Sequence, residues 1–218
     1  MARQETEAMA IAIQVNISTL LKVIEVSGII AFACSGFIEA RRREMDLVGV
    51  FMVGFVTAFG GGTLRDLLLD QRPLFWVERQ EYVLLIFVLA LVITPFMRQL
   101  SSVRAERMIL VADALGLGLF SVLGTSIAED AKMPLFVCVM MGVISGIFGG
   151  VLRDVLCNEI PMVLRRGQLY ATCAFFGCWV SLILDKIDAP EGITLGAGIA
   201  VTCVMRLLAV RFDLKLPA

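Results

Sequence analysis

One signature of glycines and charges occurs twice in this chain, each time inside a long apolar run. Gly60-Gly61-Gly62-Thr63-Leu64-Arg65-Asp66 returns 88 residues later as Gly149-Gly150-Val151-Leu152-Arg153-Asp154. With residues 54–73 laid over 142–161, eight of twenty positions are identical, among them Gly54/Gly142, Leu68/Leu156 and Pro73/Pro161. The correspondence reaches outward at the same offset. Glu25 meets Asp113, Gly28 meets Gly116, Phe32 meets Phe120 and Gly36 meets Gly124. Further on, Tyr82 meets Tyr170 and Phe87 meets Phe175.

The apolar runs are long enough to cross a bilayer. The chain has 218 residues, 59% of them hydrophobic and 18% charged. A soluble domain is usually about half apolar and about a quarter charged. Seven runs stand out, about 18–40, 47–69, 82–97, 108–128, 133–157, 168–186 and 192–210. Each suits a hydrocarbon core of roughly 30 Å at about 1.5 Å per helical residue.

The expected fold is therefore an all-α membrane protein, one transmembrane domain over residues 1–218. Repeat 1 covers about 18–97, repeat 2 about 108–186, and an extra helix about 192–210. One unit holds three spans. Three is odd, so the second unit enters the membrane from the opposite side. The result is seven transmembrane helices as a 3+3 inverted repeat plus one, an arrangement of transport proteins.

Basic residues set the orientation. One side holds ten: Arg41, Arg42, Arg43, Arg98, Arg104, Arg107, Arg165, Arg166, Arg211 and Lys215. The other holds five: Arg3, Arg72, Arg79, Lys132 and Lys186. The richer side is cytoplasmic, which puts the N-terminus outside and the C-terminus inside. The mixed-charge start, Arg3, Glu5 and Glu7, does not read as a cleavable signal peptide.

Several function classes lose support. Histidine is absent, which removes the commonest metal ligand and general base. The six cysteines lie mostly in apolar runs without a C-x-x-C pair. No Gly-Lys-Ser/Thr follows the glycines, so they are not a P-loop. A net charge of −1 with no basic tail gives no support for nucleic-acid binding. No enzyme and no cofactor are expected.

The glycines carry the functional expectation. Three in a row, Gly60, Gly61 and Gly62, should bend or break the second span, and Gly149 and Gly150 the fifth. A broken helix survives in lipid only where protein or a wet cavity covers its backbone. Freed carbonyls near Gly61 and Gly149 could then hold a transient potassium ion. Thr57 and Ser145 add hydroxyls, unless each bonds back within its own helix. Gly142, Gly146 and Gly150 also make a small-residue stripe that suits close packing.

Charges supply the remaining candidates. Arg65, Asp66, Arg153 and Asp154 either line a pore mouth or anchor helix ends. Neighbours on a helix do not face each other, so each should look elsewhere. Lys22 is one turn from Glu25 and could pair with it. Asp113 has no basic residue nearby in sequence, which makes it the stronger acid candidate. Phe59 and Phe148 are bulky neighbours of the glycines and could form a dewetting gate.

The paired motif, with Pro73 and Pro161 behind it, resembles the bacterial branch of the trimeric intracellular cation (TRIC) channels. The resemblance covers about residues 18–210. It implies a homotrimer in the bacterial inner membrane, in contact with membrane lipid, each subunit holding its own pore. The second and fifth helices would line that pore, kinked at Gly60, Gly61, Gly62, Gly149 and Gly150, and pass monovalent cations, chiefly potassium. Animal members carry a lysine-centred motif where this chain has Arg153-Asp154. The bacterial branch also bears the label of glycine transporter. The alternative is accordingly a secondary transporter of a small amino acid, its carboxylate at a half-helix N-terminus and its ammonium at Asp113.

Overall fold

The apolar runs fold as helices. The computed structural model describes residues 2–96, 102–165 and 169–214. Among them are eight α-helices. They are α1 (Ala2–Arg42), α2 (Leu47–Leu68), α3 (Phe75–Glu78), α4 (Gln80–Phe96), α5 (Ser102–Asp130), α6 (Leu135–Leu156), α7 (Ala171–Lys186) and α8 (Glu191–Arg211). A 3-10 turn, Met162–Leu164, sits between α6 and α7.

Among the described residues, five segments are long and apolar enough to cross a membrane: Thr19–Arg42, Leu47–Leu68, Val103–Asp130, Leu135–Leu156 and Glu191–Arg211. Gln80–Pro95 is a shorter apolar helix. Each expected span falls on a helix, but α1 begins 16 residues before its expected span and α5 six before. α4 and α7, at 17 and 16 residues, are shorter than the five spanning segments. The short α3 and the 3-10 turn went unforeseen, being only 4 and 3 residues long. Arg98, Arg166 and Lys215, counted above for orientation, lie outside the described residues.

Helix ends follow from local chemistry. Asp46 caps α2 by accepting a hydrogen bond from the Gly49 amide at 2.8 Å. The ends of α2 and α6 are built alike. The Leu69 amide donates to Arg65 O at 2.9 Å, and the Cys157 amide to Arg153 O at 3.0 Å. Asp70 and Asn158 then take left-handed φ values of 52° and 55°. The amides of Gln71 and Glu159 reach back to the carbonyls of Asp66 and Asp154, both at 2.8 Å. This is a Schellman closure, formed twice at the 88-residue offset.

α2 and α6 pack directly against each other at the centre. α1 covers α2, α5 covers α6, and α1 packs on α5. α4 lies on α2, and α7 lies on α6 beside α8. One apolar core joins Phe32, Phe37, Phe59, Phe120 and Ile86; a second joins Leu117, Val139, Tyr170 and Leu182.

Contacts between the halves come in exchanged pairs. A Cβ on Gly28 would lie 2.9 Å from the Phe120 ring, and one on Gly116 would lie 2.3 Å from the Phe32 ring. Phe32 and Phe120 stack on each other, centroids 5.4 Å apart and planes 4° apart.

A glycine crossing and a buried charge cluster

The glycines act by their missing side chain. α2 stays helical through Gly60, Gly61 and Gly62, and α6 through Gly149 and Gly150. The expected helix break is therefore corrected. A Cβ on Gly61 would sit 2.0 Å from Ser145 O, and one on Gly149 would sit 2.2 Å from Thr57 O. Each glycine presents a bare Cα–H to the carbonyl of the opposite helix, a recurring contact where helices cross closely. Those carbonyls are packed against glycine, not freed.

The other small residues have separate tasks. Gly142 and Gly146 meet Thr125 and Ser121 of α5. Gly150 faces Tyr170 Oη and Asp113 Oδ1 instead. The stripe thus serves two neighbours. Gly62 seats the ring of Phe75, and Gly60 the side chain of Leu152.

The two hydroxyls differ. Thr57 Oγ1 donates to Val53 O at 2.6 Å, the intrahelical bond weighed above. Ser145 Oγ is buried with no hydrogen-bond partner among the described residues. Phe59 and Phe148 do come together. Both line an apolar cavity of about 410 Å³ with Gly60, Leu152 and Trp76. Phe59 is held there by edge contacts to Phe55 and Phe75.

The charges form a cluster that sequence spacing did not reveal. Asp113, expected to be unpaired, meets Arg153 with Oδ1 to Nη1 at 2.7 Å. The link crosses from α5 to α6 over 40 positions of chain. Arg153 Nη1 also donates to Ser35 Oγ on α1. Its Nε reaches Asp154 Oδ1 at 2.9 Å. Arg65 likewise folds back on Asp66, with Nη2 to Oδ1 at 2.6 Å. The expectation that adjacent charges look apart is thus corrected. An arginine is long enough to curl over its own last helical turn.

Each aspartate has a second task. Asp66 Oδ2 accepts from the Phe75 amide at 2.9 Å, and Asp154 Oδ2 from the Met162 amide at 2.9 Å. Both carboxylates thereby tie the following segment under the helix end. Arg65 lies over the Phe75 ring at 5.5 Å.

The repeat is not symmetric at its acids. Glu25 accepts from Arg79 Nη1 at 2.5 Å and from Tyr82 Oη at 2.8 Å. That bond replaces the expected Lys22 pairing. Arg79 stands outside the spanning helices, and its guanidinium is held above its ordinary pKa, chiefly by the Tyr82 hydroxyl. In the second half Tyr170 Oη has no hydrogen-bond partner among the described residues, and neither has Asp113 Oδ2.

Arg206 of α8 completes the cluster and was missed. It is 1% exposed and lies 4.7 Å over the Tyr170 ring. Its Nη1 donates to Leu169 O at 3.2 Å. A lone arginine inside the last apolar run was the available signal, since intramembrane charge marks function by default. A cavity of about 490 Å³ opens onto Arg153, Asp154 and Arg206, with Arg42, Arg43 and Glu159 also lining it.

Comparisons with known proteins agree with this layout. The sequence model of a family described as Glycine transporter matches twice, over residues 22–98 and 110–186. The two matches are again offset by 88 residues. The inner membrane protein YadS of Escherichia coli K12 is 38% identical over 89% of this chain and 93% of its own length. A membrane protein of Vibrio cholerae is 36% identical over 92% of this chain and 83% of its own. The fold matches the TRIC trimeric intracellular cation channel orthologue from Rhodobacter sphaeroides with a TM-score of 0.85, at 37% identity. That match covers 90% of this chain and 100% of the other. A prokaryotic TRIC channel in KCl matches with a TM-score of 0.85 at 29% identity, covering 91% and 100%. With these matches along nearly its whole length, the chain is a bacterial membrane protein that belongs to the trimeric intracellular cation (TRIC) channel family.

Proposed function

We propose that this protein is a monovalent cation channel, with potassium its main ion and one pore in each subunit of a homotrimer. The carrying observation is the α2–α6 crossing, where Gly61 meets Ser145 O and Gly149 meets Thr57 O. Helices that meet at their crossing through glycine backbone, without interlocked side chains there, can separate at small cost in packing. Their parting uncovers the Thr57 and Ser145 carbonyls and the unpartnered Ser145 hydroxyl. Those oxygens replace part of an ion's hydration shell.

The glycines let α2 and α6 kink as they part. Phe59 and Phe148, on their apolar cavity, hold the closed path dry. Arg65, Asp66, Asp113, Arg153 and Asp154 shape the mouths. Solved relatives described as cation channels support this reading.

The exchanged contacts at Phe32/Phe120 and Gly61/Gly149 support a 3+3 inverted repeat, with α8 as the seventh spanning helix. The domain is the whole chain, surrounded by lipid in the inner membrane, N-terminus outside and C-terminus cytoplasmic.

The test is flux in proteoliposomes. Potassium efflux and labelled glycine uptake are measured in the same vesicles. Fast, non-saturating potassium flux without glycine uptake is expected. Saturable glycine uptake with little potassium leak would replace the channel by a carrier.

A further inference from the structure

A second cavity, of about 580 Å³, opens at the other end of the bundle from Arg153. It lies between the C-terminal ends of α5 and α7 and the N-terminal end of α8. Four carboxylates stand on it: Glu129, Asp130, Asp185 and Glu191. Two ammonium groups oppose them, on Lys132 and Lys186. Lys186 is held by Glu129 and lies 3.7 Å from Asp185. Asp130 and Glu191 have no ion-pair partner among the described residues.

A second feature points to an occupant. Ser181 is 5% exposed and lines this cavity. Its hydroxyl has no hydrogen-bond partner among the described residues. The hydroxyl faces the cavity and can accept a hydrogen bond from an occupant there.

The chemistry of the occupant follows from spacing. No group of three or more ligating side chains is placed to hold a metal ion among the described residues. The carboxylates come from three helix ends and do not converge. Apolar side chains, Leu21 and Leu195, line the same cavity. Separated negative charges joined by apolar surface match separated positive charges joined by methylene groups.

We propose that this cavity binds a linear aliphatic polyamine. One terminal ammonium sits between Asp130 and Glu191. The methylene chain runs along Leu21 and Leu195. A second ammonium donates to Ser181 Oγ and Asp185. Binding here is independent of whether the chain conducts ions.

Equilibrium dialysis tests it. Full-length protein in phosphatidylcholine nanodiscs is dialysed against labelled spermidine at fixed ionic strength, with empty nanodiscs as the control. Saturable binding of one molecule per chain is expected. Asp130→Asn with Glu191→Gln should weaken it by about tenfold or more, through two lost charge-assisted bonds. Ser181→Ala should weaken it by about threefold to fivefold. Absence of saturable binding would overturn the proposal. So would unchanged affinity in both variants at unchanged melting temperature. Displacement by magnesium as effective as by putrescine would overturn it in favour of a metal site.

Discussion

Arg153 Nη1 stands 2.7 Å from Asp113 Oδ1, and the two side chains are 1% and 0% exposed. This ion pair ties α5 to α6 in the apolar interior, and Ser35 of α1 joins it. Taking two charges out of water is expensive, and removing one partner strands the other. Asp113→Asn or Arg153→Gln should each cost about 3–5 kcal/mol. The double variant should cost less than the sum. Melting temperatures of the three variants in detergent check this. Strict additivity would show that the pair is not coupled.

The glycine crossing should tolerate no methyl group. Alanine at Gly61 or Gly149 meets a backbone carbonyl, which cannot swing aside. Each substitution should cost about 1–3 kcal/mol through overpacking, and potassium flux should change with it. Gly196 of α8 is the control, since nothing lies within 4 Å of its added Cβ. Gly196→Ala should gain up to about 1 kcal/mol of helix propensity. Equal losses at all three sites would refute a role for close approach.

Tyr82 and Tyr170 occupy equivalent positions but should respond differently. Tyr82 Oη donates to Glu25 at 2.8 Å and accepts from Arg79 at 2.7 Å. Tyr82→Phe should destabilise by about 1–3 kcal/mol. Tyr170 Oη has no hydrogen-bond partner among the described residues, so Tyr170→Phe should leave stability unchanged or raise it. Thermal denaturation of the two variants decides this. A loss at Tyr170 equal to that at Tyr82 would show a partner, such as a buried water.

Glu159 should make stability pH-dependent at the basic end of the bundle. Its carboxyl is held below its ordinary value of 4.5, first by the hydrogen bond from Arg43. A carboxyl depressed in the folded state contributes stability that is present above its unfolded value. That contribution is lost as pH falls through the folded value. The wild type should therefore lose more stability on acidification below about pH 4.5 than Glu159→Gln does. Because the pair is exposed, added salt should shrink the difference. Parallel acid titrations that stay superimposed would remove this role.

The fold class, helix positions and repeat were legible because they depend on local quantities. Run length and apolar content place a helix wherever it packs. A repeat offset is a property of the string alone. The matching closures of α2 and α6 were not legible there, where Arg65-Asp66 and Arg153-Asp154 read either as pore mouth or as end anchor. Only the tertiary structure decided what the glycines and charges do. The same three glycines break a helix that has nothing beside it, and seat a carbonyl when another helix crosses there. Gly61 is of the second kind because Ser145 O lies against it. Asp113 looked unpaired because sequence spacing shows only neighbours within one helix. Its partner Arg153 arrives from the next helix, and Arg206 from the last, with its guanidinium over Tyr170. Burial makes such pairs necessary, and only packing chooses the partner.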